Sequence, residues 1–219
     1  MTGQLNLVVL GKQGAGKGTQ SQRLCDAYGL AHISTGDILR AAVAAGTPLG
    51  REVKSTLDAG QLVSDEVVNQ LVRDRFGEAD AARGAVLDGF PRNLVQAEAL
   101  ESFLGPSGIK LCIYLELSDE LVLARLSSRR VCQECGTIYK DTDVAAISGT
   151  CEVCGGDVIQ RSDDKPEAIR RRLDTFERDT FPLLAFYDER GLLAKVDGDQ
   201  GVDQVAVAID EFLRRRGVA

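Results

Sequence analysis

Short, mostly apolar runs alternate along this chain with longer stretches in which apolar residues recur every three or four positions. Asn6 to Leu10 is the first run, and it passes into the glycine-rich segment Gly11 to Gly18. Thr19 to Tyr28 then follows a helical period and stops at Gly29, a residue suited to the left-handed turn that closes helices. Further runs at Ala85 to Leu87, Leu111 to Leu115 and Leu192 to Val196 are short and apolar enough to be buried strands. Between them, Asp65 to Phe76, Asn93 to Phe103 and Asp119 to Arg130 read as helices. The last helices are predicted over Pro166 to Asp188, with a kink at Pro182, and over Val202 to Arg216. Strands that alternate with helices predict an α/β fold, a parallel sheet with right-handed crossovers and helices on both faces.

Two stretches break the alternation. Thr35 to Val63 reads as helices with no strand between them, and Val131 to Gln160 carries four cysteines, many glycines and weak periodicity. Both are expected to be insertions above the carboxyl ends of the strands, where open parallel sheets bind ligands. The expected division is a core of residues 1–34, 64–130 and 161–219, a small helical insertion of residues 35–63 and a lid-like insertion of residues 131–160. A length of 219 residues, 44% of them hydrophobic, suffices for one sizeable core with such excursions. The net charge of −7 argues against a general nucleic-acid or membrane binder, because such binding draws on a broad basic surface. Any phosphate site must then be a local concentration of Arg and Lys. Met1 to Leu10 lacks the basic start and cleavage site of a secretory leader, and charges interrupt the later apolar stretches short of a membrane span. The expectation is a cytoplasmic protein.

Gly11 to Thr19 matches the Gly-x-x-x-x-Gly-Lys core of a phosphate-binding loop, after a predicted strand and before a predicted helix as that motif requires. Glycines allow backbone N–H groups to turn toward phosphate oxygens, the helix N-terminus adds partial positive charge, and Lys17 adds a full one. The general pattern places Ser or Thr directly after the lysine, whereas here Gly18 intervenes before Thr19.

The Gly-Lys-Gly-Thr-Gln ending of Gly16 to Gln20 resembles that of adenylate kinases and related nucleoside monophosphate kinases, and the resemblance covers nearly the whole chain. His32 to Arg40 resembles the family's monophosphate-binding segment, and Leu87-Asp88-Gly89-Phe90-Pro91-Arg92 its most distinctive hexapeptide. Taken alone, Ser34 to Asp37 is a plausible helix cap, Arg40 a solvated helix residue, and His32 a packing residue. The resemblance implies a P-loop fold and transfer of the terminal phosphoryl group of ATP to AMP, with Lys17, Arg92, Arg129, Arg161 and Arg172 catalytic. It implies ATP contacts at Gly14, Ala15, Gly16, Lys17, Gly18, Thr19, Arg125, Arg129, Ile138 and Tyr139. AMP contacts are implied at Thr35, Gly36, Arg40, Gln61, Val63, Gly89, Arg92, Gln96, Arg161 and Arg172, and magnesium, held through water, at Asp88. A UMP- or CMP-type kinase would keep the phosphate contacts and change the base contacts, and Thr35 and Gln96 argue for adenine. Two departures stand out: Gln13 where the family commonly has Pro, and Tyr139-Lys140 where relatives often carry Tyr-His. A monomer is expected.

Cys132-x-x-Cys135 and Cys151-x-x-Cys154 form two knuckles, each followed by glycine, a spacing that suits tetrahedral zinc. A redox dithiol is disfavoured by the duplication, and disulfides by the expected compartment. Cys25 and Cys112 lie in apolar patterns and are expected to be buried free thiols. Paired knuckles also occur in nucleic-acid-binding ribbons, so a P-loop ATPase with such a ribbon is the rival from another class; the acidic balance and the lack of a basic, aromatic face on the ribbon speak against it.

Overall fold

The computed structural model describes residues 4–105 and 108–218; residues 1–3, 106–107 and 219 of the expected core lie outside them. The first strand, β1 (Asn6–Gly11), leads into α1 (Lys17–Tyr28), β2 (Ala31–Ser34), α2 (Thr35–Ala44) and α3 (Pro48–Asp58). Then come α4 (Asp65–Phe76), β3 (Ala85–Asp88), α5 (Leu94–Leu104), β4 (Ile109–Glu116) and α6 (Asp119–Ser128). The cysteine-rich segment forms β5 (Arg129–Cys132), β6 (Ile138–Lys140), α7 (Val144–Ser148) and β7 (Val158–Ile159). The chain finishes with α8 (Pro166–Thr175), α9 (Leu183–Glu189), β8 (Leu193–Asp197) and α10 (Val202–Arg215).

Five strands in the order β2-β3-β1-β4-β8 form the main sheet, and every pairing in it is parallel. Because side chains alternate across a strand, each apolar run feeds two cores. Leu7, Val9, Leu111, Ile113 and Val196 pack with Leu24 of α1, Leu126 of α6, Ile169 of α8 and Ile209 of α10. Val8, Leu10, Leu87 and Tyr114 point the other way, against Leu39, Val72, Leu100 and Leu183. Helices therefore cover both faces, as the alternation predicted.

Three local expectations change. Ala31–Ser34 is an edge strand, paired to β3 from Ala31↔Ala85 to Ser34↔Asp88; four residues running straight into a helix cap give too short a pattern to register as a strand. The helix predicted to Arg130 ends at Ser128, because Arg129 and Arg130 pair antiparallel with Lys140 and Tyr139. Pro166 to Asp188 is not one helix: α8 stops at Thr175, a π-turn spans Phe176–Thr180, and α9 begins after Pro182. The π-turn closes with Phe181 N–H donating to the Phe176 carbonyl at 2.8 Å, and such turns commonly sit at functional sites.

Helices α2 and α3 follow directly from the carboxyl end of β2, and the cysteine-rich segment follows α6. Ser34 and Thr47 cap α2 and α3 by accepting from the Asp37 and Gly50 N–H groups. A methyl at Gly50 would overlap the Ala42 carbonyl, so the two helices cross at a separation that only glycine permits. The lid's three-stranded sheet, in the order β6-β5-β7, starts at Arg129 and surrounds a small core of Cys132, Tyr139, Ala145, Cys151 and Val158.

Ile113 is fully buried on β4. Ile113→Ala is expected to destabilise the protein by about 2–5 kcal/mol and to lower the melting temperature by roughly 5–15 °C. Val207→Ala, on the exposed side of α10, should move it by no more than about 2 °C. Equal melting curves for the two variants would contradict the two-faced core.

Candidate active site

The loop between β1 and α1 wraps around one cation. Gly16 takes φ 93° at the N-terminus of α1, a left-handed conformation that glycine adopts without strain. Lys17 Nζ donates to the carbonyls of Gly11 at 2.8 Å and Lys12 at 2.9 Å. Burial pulls its pKa down to about 8, and the charges of Arg92, Arg172 and Arg129 push the same way against Asp88. Lys12 has a different place: its ammonium pairs with Asp119 at 2.7 Å and Glu177 at 3.1 Å, fastening the loop to α6 and the π-turn. Gln13 Nε2 donates to the Ile169 carbonyl of α8 at 3.3 Å, a tie that proline could not make. Asp88 ends β3 beside the loop, 3.5 Å from where a Cβ on Gly18 would lie. His32 Nε2 stands 3.7 Å from Asp88 Oδ2, so the residue expected to pack lies beside the carboxylate that ends β3.

The acceptor segments meet the loop at one cleft, lined by Lys17, Thr35, Gly36, Arg40, Gln61, Val63, Gly89, Arg92, Gln96 and Arg172. The Gly89 carbonyl accepts from Thr35 Oγ1 at 2.8 Å and from Arg92 Nε at 2.7 Å. Thr180 of the π-turn donates to the Arg92 carbonyl at 2.7 Å. Arg92 is brought down to about 10, first by burial and then by Arg172 and Arg40, and it stays charged at neutral pH. Arg161 falls to about 10 for the same reasons, burial followed by Arg40 and Arg129. Aspartates hold the arginines: Arg129 makes two hydrogen bonds, of 2.8 and 2.6 Å, to fully buried Asp164, and Arg172 pairs with Asp163 at 2.8 Å. Arg40 pairs with Asp37.

Arg125, Ile138 and Tyr139 are not among the residues lining this cleft. Arg125 donates to the carbonyls of Gly14 at 3.3 Å and Gly198 at 3.0 Å, which ties the loop to the turn after β8. Ile138 is exposed on β6, and the Tyr139 side chain turns into the lid, its hydroxyl 3.2 Å from Cys151 Sγ; neither lines the cleft. Thr180, Asp65 and the Gly198 turn had no motif to announce them, and the loop motif says nothing of the partners of Lys12, because those partners are distant in the chain.

In the lid the four Sγ atoms of Cys132, Cys135, Cys151 and Cys154 lie within 4.8 Å of one another. The Cys132–Cys154 and Cys135–Cys151 sulfurs are 3.5 and 3.6 Å apart, near the roughly 3.8 Å edge of a tetrahedron with Zn–S bonds of about 2.3 Å. The Tyr139 hydroxyl, chief among several hydrogen bonds, draws the Cys151 thiol down to about 6, which favours the thiolate that metals bind.

Comparison with known proteins accounts for this arrangement. The family model described as adenylate kinase matches residues 9–192. The chain belongs to the adenylate kinase family. It is 45% identical over 216 residues to an adenylate kinase of Thermodesulfovibrio yellowstonii, covering 97% of this chain and 100% of the relative. With an adenylate kinase of Limosilactobacillus fermentum it shares 46% identity over 213 residues, 95% of this chain and 99% of the relative. With one of Paramagnetospirillum magneticum the identity is 44% over 213 residues, 95% and 98% of the two chains. Among the described residues, no helix is long and apolar enough to cross a membrane.

A polyphosphate against Lys17 favours its charged form, so binding above about pH 8 must take up a proton. Affinity for ATP, by titration calorimetry, is expected to be level from roughly pH 7 to 7.5 and to weaken toward tenfold per unit above about pH 8. The terminal phosphate of ATP is already ionised there, with a second pKa of about 6. Level affinity to about pH 9.5 would contradict the depressed Lys17.

Proposed function

We propose that the chain catalyses the reversible transfer of the terminal phosphoryl group of MgATP to AMP, giving two ADP, by direct in-line displacement. The observation that carries this reading is the single cleft in which the Lys17 loop faces Arg92 and Arg172, with Arg129 and Arg161 beside them. ATP would lie along Gly14 to Thr19, with Arg125 and the Ile138–Tyr139 backbone toward its base once the lid closes. AMP would lie between the two acceptor segments, its phosphate held by Arg40 and Arg92 and its base near Thr35, Gln61, Val63 and Gln96. Thr35 already donates its proton to Gly89, which leaves the hydroxyl oxygen free to accept from an exocyclic amine.

The acceptor phosphate is an anionic nucleophile, so no strong general base is required. The protein's task is to align two phosphates and to stabilise the charge that spreads over the transferring group, which Lys17, Arg129, Arg161 and Arg172 would do as preorganised donors. Asp88, a carboxylate at the cleft end of β3 next to Gly18, is the hard oxygen ligand that would hold magnesium through its waters. Magnesium would neutralise phosphate charge. Residues 35–63 and 131–160 would fold over the core of residues 1–34, 64–130 and 161–219, shutting out the water that competes as acceptor. The four lid cysteines would bind structural zinc, since the small lid core needs a staple.

Lys17→Met is expected to retain the fold and lower kcat by about two to three orders of magnitude, the loss typical of one preorganised donor. ADP formation from ATP and AMP measures it, and near-normal turnover would sink the role of Lys17. Replacing Cys151 and Cys154 by Ser should lower zinc per chain and the onset of thermal unfolding, while ADP formation well below the melt largely survives. Unchanged thermal stability would show that the cysteines are no structural metal site.

A further inference from the structure

We infer that Asp65 is a specificity-determining positioning residue: its carboxylate sets which way round the Gln96 amide faces the cleft, and so favours adenine over a 6-oxopurine as the acceptor base. The inference rests on the reading of Gln96 as a base contact. Gln96 lines the cleft yet is only 1% exposed. Its Oε1 accepts from the Arg92 backbone N–H at 2.8 Å, and its Nε2 donates to Asp65 Oδ1 at 2.7 Å.

Each of these neighbours is of one kind. A backbone N–H can only donate, and an ionised carboxylate can only accept. Turning the amide over would set Nε2 against the Arg92 N–H and Oε1 against the Asp65 carboxylate, two contacts between like partners in a buried place. A primary amide carries two N–H bonds and two oxygen lone pairs, so one of each remains after these neighbours are satisfied. Adenine offers an amine donor at N6 beside an acceptor at N1, whereas a 6-oxopurine offers an acceptor at O6 beside a donor at N1. With the base's pose set by its phosphate, one orientation of the amide suits adenine and the reverse suits the 6-oxopurine.

Asp65 is itself held in place. The same Oδ1 accepts from Asn93 Nδ2 at 2.8 Å, and Asn93 Oδ1 caps α5 by accepting from the Gln96 N–H at 2.9 Å. As the first residue of α4, Asp65 also suits the helix dipole. That ordinary role predicts no link to the choice of base.

The experiment measures kcat and KM for AMP and for IMP, which differ at this edge of the ring, in the wild type, Asp65→Asn and Gln96→Leu. The side-chain amide that Asp65→Asn introduces can present either a donor or an acceptor to Gln96, so the AMP-to-IMP ratio of kcat/KM is expected to fall by about fivefold or more. The change should lie in the KM of the acceptor, with the KM for ATP unmoved. Gln96→Leu should collapse the ratio further. If Gln96→Leu collapses it and Asp65→Asn leaves it intact, Asp65 does not orient the amide and the inference fails alone. If neither variant moves the ratio, the reading of Gln96 fails and takes the inference with it. An equal loss toward both acceptors would reduce Asp65 to a structural role and overturn the proposal.

Discussion

The cost of holding like charges together away from water shapes the centre of this molecule. Lys17, Arg92, Arg161 and Arg172 are all desolvated, and each has its charged form disfavoured first by burial and further by neighbouring cations, against the pull of nearby aspartates. Such a cluster persists only with compensation. Part comes from behind, where Asp163 and Asp164 hold Arg172 and Arg129, and from Asp88 opposite Lys17. Under the proposed function, phosphate oxygens of the substrates would supply the rest. The chain as a whole is acidic, at −7, which makes the cleft a local inversion rather than one part of a basic surface.

The same pairs decide how the cysteine-rich segment joins the rest of the chain. The lid leaves after α6 and returns at Arg161, and the Arg129–Asp164 pair bridges its outgoing and returning stems. Close by, Ser162 Oγ donates to Asp58 at 3.0 Å, and Arg171 Nε donates to the Ala59 carbonyl at 3.1 Å. The end of α3 therefore rests on the segment that follows the cysteine-rich sheet and on α8. The π-turn belongs to this junction: it brings Glu177 to Lys12 and Thr180 to the Arg92 carbonyl. In a regular α-helix Glu177 and Thr180, three positions apart, would share one face, whereas the wider π-turn spreads them toward two different partners.

Away from the cleft, the lid solves a separate problem of size. A core of Cys132, Tyr139, Ala145, Cys151 and Val158 is too small to hold one shape by burial alone. A metal held by the four neighbouring sulfurs would answer this, and Tyr139 adds to it, its hydroxyl accepting from Glu152 N–H at 3.2 Å and lying against Cys151 Sγ. The aromatic ring thus stitches the first knuckle's strand to the second knuckle.

What this sequence determines by itself are features whose partners are near in the chain. The α4 helix over Asp65–Phe76, the apolar runs of β1, β3 and β4, the glycine loop around Lys17 and the paired knuckles are legible because period, turn and ligand spacing are local properties. Tertiary structure decided the rest. Arg129 and Arg130 continue the helical pattern of α6, but pairing with Lys140 and Tyr139 makes them a strand. Tyr139 stands in a segment that resembles a nucleotide contact, and only the packing of the lid turns its ring toward Cys151. Lys12 lies inside the glycine loop, and only the fold brings Asp119, 107 positions along the chain, and the still more distant Glu177 to it. Asp65, 31 residues from Gln96, reads as an ordinary helix start. Side-chain direction and charge pairing depend on which distant surfaces the fold brings together, and spacing along a chain carries no record of that.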